Sequence, residues 1–183
     1  MTRKWKVVLL LFFSVVVILV TASAFLRMQT KKHSPMDTVT FDKGSLKIKT
    51  DYYRPYKKDR VIFGEAEDGA LQPFGVYWRL GANDATTIEL NKDVTFGGEQ
   101  LKAGKYAVYA VPGETNWQIG VNSKANRWGA AEPDHDDDVL MITVPVTYSD
   151  EVIEQFKITY EATEQGAEMV LTWDTSVVKI PIN

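Results

Sequence analysis

The chain has no cysteine. That excludes disulfides, thiol nucleophiles, zinc–thiolate sites and lipid attachment to an N-terminal cysteine. Histidine is scarce: only His33 and His135 occur. No phosphate-cradling glycine loop, no H-E-x-x-H and no Gly-x-Ser-x-Gly elbow is present, so those three routes to catalysis lack their sequence signatures. Acids are missing from residues 1–32, which hold six Lys/Arg, whereas residues 33–183 carry 15 Lys/Arg against 24 Asp/Glu, a net of −9. So acidic a domain repels phosphate backbones, and nucleic acid is not expected as a partner. Beyond the N-terminal segment no stretch of ten residues has helical periodicity.

What is present first is an uncharged run, VVLLLFFSVVVILVTASAFL, at residues 7–26. Arg3, Lys4 and Lys6 precede it, and Arg27, Lys31 and Lys32 follow it. About 20 apolar residues span a hydrocarbon core of about 30 Å. Two readings fit. A signal peptide has a basic start, a short apolar core and a small-residue cleavage site, here Ala22-Ser23-Ala24. An uncleaved anchor uses the full length, because Phe25 and Leu26 carry the run past that site. We favour the anchor, with residues 7–26 contacting the cell membrane. The domain then lies outside the cytoplasm, single-pass; cleavage near Ala24 would instead leave it secreted or periplasmic. Residues 27–37 read as a polar tether that includes Ser34-Pro35.

Residues 38–183 read as one all-β domain, an antiparallel β-sandwich of jelly-roll or immunoglobulin-like type, preceded by the one hydrophobic helix. The pattern has period two. Leu46, Ile48, Thr50 and Tyr52 alternate with Lys47, Lys49, Asp51 and Tyr53. Trp117, Ile119 and Val121 share a face, as do Leu140, Ile142 and Val144, and Met169, Leu171 and Trp173. Residues 106–111 are apolar on both faces, as in a central strand. Gly97-Gly98 predicts a tight hairpin, and Pro112-Gly113 and Gln165-Gly166 further turns.

Chemistry concentrates in a basic, aromatic stretch, Tyr53-Arg54-Pro55-Tyr56-Lys57-Lys58-Asp59-Arg60, followed by Val76-Tyr77-Trp78-Arg79-Leu80-Gly81-Ala82-Asn83. Trp78 shares a face with Val76 and Leu80 and reads as core. Tyr77 and Arg79 point to the opposite face. Arginine binds carboxylates in bidentate fashion and stacks on rings. The plainer alternative is ion pairing inside the fold, Arg60 with Glu65, Glu67 or Asp68. Trp128, after Asn126-Arg127, offers a loop-borne aromatic platform. Asp134–Asp138 surround His135 without the alternation or glycine of an EF-hand, so a solvated acidic loop is expected rather than a calcium site.

These strings, with Leu101-Lys102-Ala103-Gly104-Lys105-Tyr106, Val111-Pro112-Gly113 and Trp128-Gly129 behind them, resemble the bacterial domain of unknown function family 2911. The resemblance implies a secreted or membrane-tethered β-sandwich and carries no activity, cofactor or catalytic residue. We therefore expect a non-catalytic module for a glycan, peptide or anionic small ligand. Its expected contacts are Arg60, Tyr77, Arg79 and Asn83, with Lys57 and Trp128 at the rim. The alternatives are a hydrolase using Glu65, Glu67, Asp84 or the His135 loop, and an interaction or structural component of the cell envelope. No metal or cofactor is expected.

Overall fold

The computed structural model describes residues 3–183. It divides into two compact units, the residues up to His33 and Ser34–Asn183.

The first unit is the helix α1 (Arg3–His33). Residues Val8–His33 are long and apolar enough to cross a membrane by length and composition. Ser14 and Thr21, two of the three hydroxyl residues inside the apolar run, turn back onto their own helix. Ser14 Oγ donates to the Leu11 carbonyl at 2.8 Å and Thr21 Oγ1 to the Val17 carbonyl at 2.9 Å. Both hydroxyls are thereby satisfied within the helix itself. The helix continues through Arg27–His33, where the polar composition suggested a tether. Lys31, Lys32 and His33 lie in its last turn, where cations offset the C-terminal dipole, and Pro35 forbids continuation.

The second unit is mostly antiparallel β-structure. Its strands are β1 (Met36–Lys43), β2 (Leu46–Tyr53), β3 (Phe63–Gly64), β4 (Gln72–Pro73), β5 (Thr86–Leu90), β6 (Val94–Phe96), β7 (Glu99–Leu101), β8 (Gly104–Val111), β9 (Asn116–Asn122), β10 (Asp138–Ala162) and β11 (Ala167–Ile182). Nine of them form one sheet in the order β1-β2-β5-β8-β9-β10-β11-β6-β7, while β3 and β4 make a small parallel pair. The sheet turns over on itself through β10. The first half of that strand pairs with β9 and the second with β11, across register shifts between Tyr148 and Lys157. Such bulges bend a strand and increase its twist.

The bend encloses one core. Trp78 stacks on Trp173 at 5.6 Å and meets Trp117 and Phe156 edge-on at 5.8 and 5.0 Å. Trp78, Trp117 and Trp173 are all buried, as their positions in the alternation predict. Val76 is not: it is exposed, and residues 76–80 form no named strand beyond a bridge from Trp78 to Ala110.

Candidate functional site

The outer face of β8 is buried although the core lies on its other side. Val108 and Ala110 belong to the core cluster, yet Ala107 and Tyr109, which alternate with them, are equally inaccessible. What lies over Tyr109 is the loop that joins β9 to β10, together with Tyr77. This accounts for the apolar run on both faces of residues 106–111.

Three local features build the surface. The first is the bridge at Trp78, whose N–H donates to the Ala110 carbonyl at 2.7 Å and whose carbonyl accepts from Ala110 N–H at 2.8 Å. With the indole in the core, alternation sends Tyr77 and Arg79 outward. The second is a tight turn after Arg79. Leu80 and Asn83 hold left-handed φ values of 52° and 58°, and Thr86 Oγ1 donates to the Leu80 carbonyl at 2.6 Å. A buried leucine in that region is costly and is held there by its surroundings. The third is the loop 126–131, which zips onto this turn. Ala85 N–H donates to the Arg127 carbonyl at 3.1 Å, and Gly129 N–H to the Asn83 carbonyl at 2.9 Å. A Cβ on Gly129 would come within 3.0 Å of the Arg79 stem, so glycine allows that stem to lie on the loop backbone.

Tyr77 is the hub. Its phenol donates to the Gly129 carbonyl at 3.1 Å and accepts from Arg127 Nη2 at 2.7 Å. The Arg127 guanidinium also lies 5.7 Å from the Tyr77 ring centre, and its Nη1 donates to the Ala131 carbonyl. Arg127 Nε is buried without a partner. Arg79 makes one long contact, Nη1 to the Asn83 carbonyl at 3.5 Å. Its charge is disfavoured first by burial and also by Arg127, and only the Tyr77 phenol works in its favour. Among the described residues no carboxylate pairs with either guanidinium. Burial likewise raises the Tyr77 phenol above the ordinary tyrosine value, so it stays protonated.

Behind Tyr77 stands a second network. The Tyr77 and Tyr109 rings are 5.4 Å apart. Tyr109 donates to Asp138 Oδ2 at 2.6 Å and lies 3.0 Å from His135 Nδ1. His135 Nδ1 is 2.7 Å from the same Asp138 oxygen, and Nε2 is 3.2 Å from Glu132 Oε1. Asn122, fully buried, donates to Asp138 Oδ1 at 2.8 Å and to the Asp134 carbonyl at 2.9 Å. A register shift between Asp138 and Leu140 sets Asp138 opposite Asn122.

Histidine oriented by an aspartate is the beginning of a nucleophilic relay, but the third member here is a phenol. Burial, and then Asp138, push the Tyr109 phenol far above its usual range, so it is a fixed donor and not a nucleophile. Two further acids of the 132–138 loop are engaged in structure: Asp134 Oδ1 caps Asp136 N–H at 3.1 Å, and Asp137 pairs with Lys124 at 3.4 Å. Among the described residues no group of three or more acids and histidines converges as a metal site. Glu65 and Glu67 lie at an exposed 3₁₀ turn, while Asp84 accepts from the Tyr53 phenol at 2.9 Å.

The expected contacts fall into two groups. Tyr77, Arg79, Asn83 and Trp128 lie together, Asn83 contributing its carbonyl and Trp128 sitting half-buried beside Arg127, bridged to Asp84. Lys57 and Arg60 lie in another loop and bind each other's backbone. Lys57 Nζ donates to the Arg60 carbonyl at 2.7 Å and pairs with Asp174 at 2.9 Å. Arg60 donates to the Lys57 carbonyl at 3.0 Å and to the Tyr56 carbonyl, not to Glu65, Glu67 or Asp68. Arg127 and Tyr109 were missed. The signal for Arg127 was its place next to Trp128 in the same motif; Tyr109 gave none beyond its apolar run. A separate hollow over β1, β2 and β5 contains Asp42, Lys47, Lys49 and Glu89, but Lys47–Asp42 and Lys49–Asp51 pairs already neutralise it.

The family described as Protein of unknown function (DUF2911) matches residues 34–182, which is the whole β-rich unit, and the chain belongs to that family. No curated protein and no solved structure matches the chain.

Proposed function

We propose that this protein is a non-catalytic binding module, held at the outer side of a bacterial membrane by α1, that takes a ligand with an anionic group on the Tyr77–Arg79–Arg127 face. One observation carries this reading: two half-buried guanidiniums flank one phenol without a carboxylate for either, in a domain where acids outnumber bases. Desolvated cations normally have a partner. An outside carboxylate or phosphate would supply it. Trp128 would border the ligand, as an aromatic ring does for a sugar.

The test is thermal stability of the full chain in detergent against uronic acids, acidic glycans, acidic peptides and phosphorylated metabolites. A ligand at about 100 times its dissociation constant adds about 2.7 kcal/mol. That raises the midpoint by roughly 5–10 °C for a domain of this size. The shift should vanish in a folded Arg79→Ala variant and persist in Lys57→Ala. No shift with any anion would defeat the reading and favour an envelope partner protein.

A further inference from the structure

The contacts of His135 require two N–H donors at once. Nδ1 meets Asp138 at 2.7 Å and Nε2 meets Glu132 at 3.2 Å. A carboxylate only accepts, so both contacts are hydrogen bonds only when the ring is an imidazolium. A neutral ring has one N–H and must point a lone pair at one of the two acids. Asp138 is anchored by Asn122 and Tyr109, whereas Glu132 is exposed and its contact with His135 is the longer. Glu132 is therefore the acid that is released.

Its release matters because of where it stands. Glu132 directly follows Ala131, whose carbonyl accepts from Arg127 Nη1, so the chain holds it next to that guanidinium, and its charge acts on the Tyr77 phenol alongside Arg127 and Arg79. The groups around His135 are Tyr109 from β8, Asp138 from β10, and Glu132, Asp134, Asp136 and Asp137 from its own loop, with Asp137 paired to Lys124. Of the two acids that bond His135, only Glu132 has no second partner.

We propose that His135 is a positioning residue that restrains Glu132: while protonated it holds the carboxylate beside Asp138, and on losing its proton it frees Glu132 to occupy the Arg79–Arg127 face in competition with an outside anion. This rests on that face being an anion site. The direction follows from the geometry, and it agrees with His135 titrating above the usual histidine value, Asp138 and then Glu132 being the causes. The restraint is complete below the ordinary histidine range and is lost as pH rises through the raised value. Binding is then strongest on the acidic side.

The experiment has a ligand-free arm and a ligand arm, both on the full chain in detergent. Without ligand, the arginine Nε–H signals of Arg79 and Arg127 are followed by NMR from about pH 6 to about pH 8.5, the range in which a raised histidine titrates. The restraint predicts a step that tracks the His135 ring signals and is absent in Glu132→Gln. His135→Gln should show the high-pH positions throughout. With glucuronate as probe, apparent affinity should fall across the same step. If the freed acid fills the face two-thirds of the time, the fall is about threefold. Glu132→Gln should abolish that dependence. A wild-type protein with no step, or a step that survives Glu132→Gln, overturns the restraint. A ligand-free step together with no binding of any anion supports the restraint and overturns the binding reading instead.

Discussion

Arg127 donates to the Tyr77 phenol at 2.7 Å while its guanidinium stands 5.7 Å from the centre of the same ring. One arginine thus fixes Tyr77, and through the Ala131 carbonyl it also fixes the loop that covers Tyr109. Tyr77→Phe keeps the ring and removes the hydroxyl that accepts from Arg127 and donates to the Gly129 carbonyl. It should destabilise the fold by about 1–3 kcal/mol, the scale of two lost hydrogen bonds. It should also loosen the 127–131 loop. Chemical denaturation and amide exchange of those residues measure the two effects.

Gly120 lies opposite Tyr109 in the β8–β9 register, and a Cβ there would lie inside the Tyr109 ring. Gly120→Ala must therefore displace a ring that donates to Asp138. Overpacking of this kind costs about 1–3 kcal/mol. The variant should unfold at lower denaturant, and its Tyr109, His135 and Asp138 signals should all move, although none of them was changed.

Asn83 contributes a backbone conformation and a carbonyl to the site, while its amide makes only a long contact away from it, Nδ2 to the Ser34 carbonyl at 3.5 Å. Its φ is 58°, and Arg79 and Gly129 both donate to its carbonyl. Asn83→Gly should be close to neutral for stability and for anion binding. Asn83→Val should cost about 1–2 kcal/mol, because a branched side chain opposes left-handed backbone. A direct role for the amide would reverse this order.

Lys57 and Arg60 are expected to separate from the site in function as they do in space. Lys57 and Asp174 are each about four-fifths covered and paired at 2.9 Å. Lys57→Met should lower stability by about 1 kcal/mol, the range of a partly exposed pair. It should leave anion affinity unchanged in the same preparation.

The ring of His135 titrates above the usual histidine value, Asp138 being the larger cause and Glu132 the second. Removing either acid should lower that pKa, Asp138→Asn more than Glu132→Gln. The stabilisation each gives is present at acid pH and disappears as pH rises through the raised value. With only His33 and His135 in the chain, ring NMR resolves the titration without ambiguity.

The strands were legible because one face of each is buried. Leu46, Ile48 and Tyr52 in β2, and Trp117, Ile119 and Val121 in β9, sit where period two puts them. The outward pointing of Tyr77 and Arg79 followed from the same alternation about Trp78. The site itself was half legible. Arg60 is as basic and as close to aromatics in sequence as Arg79, but its turn aims it at the Tyr56 and Lys57 carbonyls, and turn geometry leaves no periodic trace. Tyr109, Arg127 and Asp138 lie on three segments brought together by the pairing of β8, β9 and β10, a relation that residue spacing does not record. The helical run through residues 27–33 was hidden because polar residues beyond an apolar stretch read as loop, whereas a helix end tolerates them.

The most direct test of an anion site is the arginine Nε–H spectrum of the full chain titrated with glucuronate at about pH 6, where the His135 restraint is in place. Arg127 Nε, buried without a partner, and Arg79 should shift together and saturate, while Arg60 stays where it is. Uniform small shifts of all arginines, or saturation at Arg60 alone, would contradict the account.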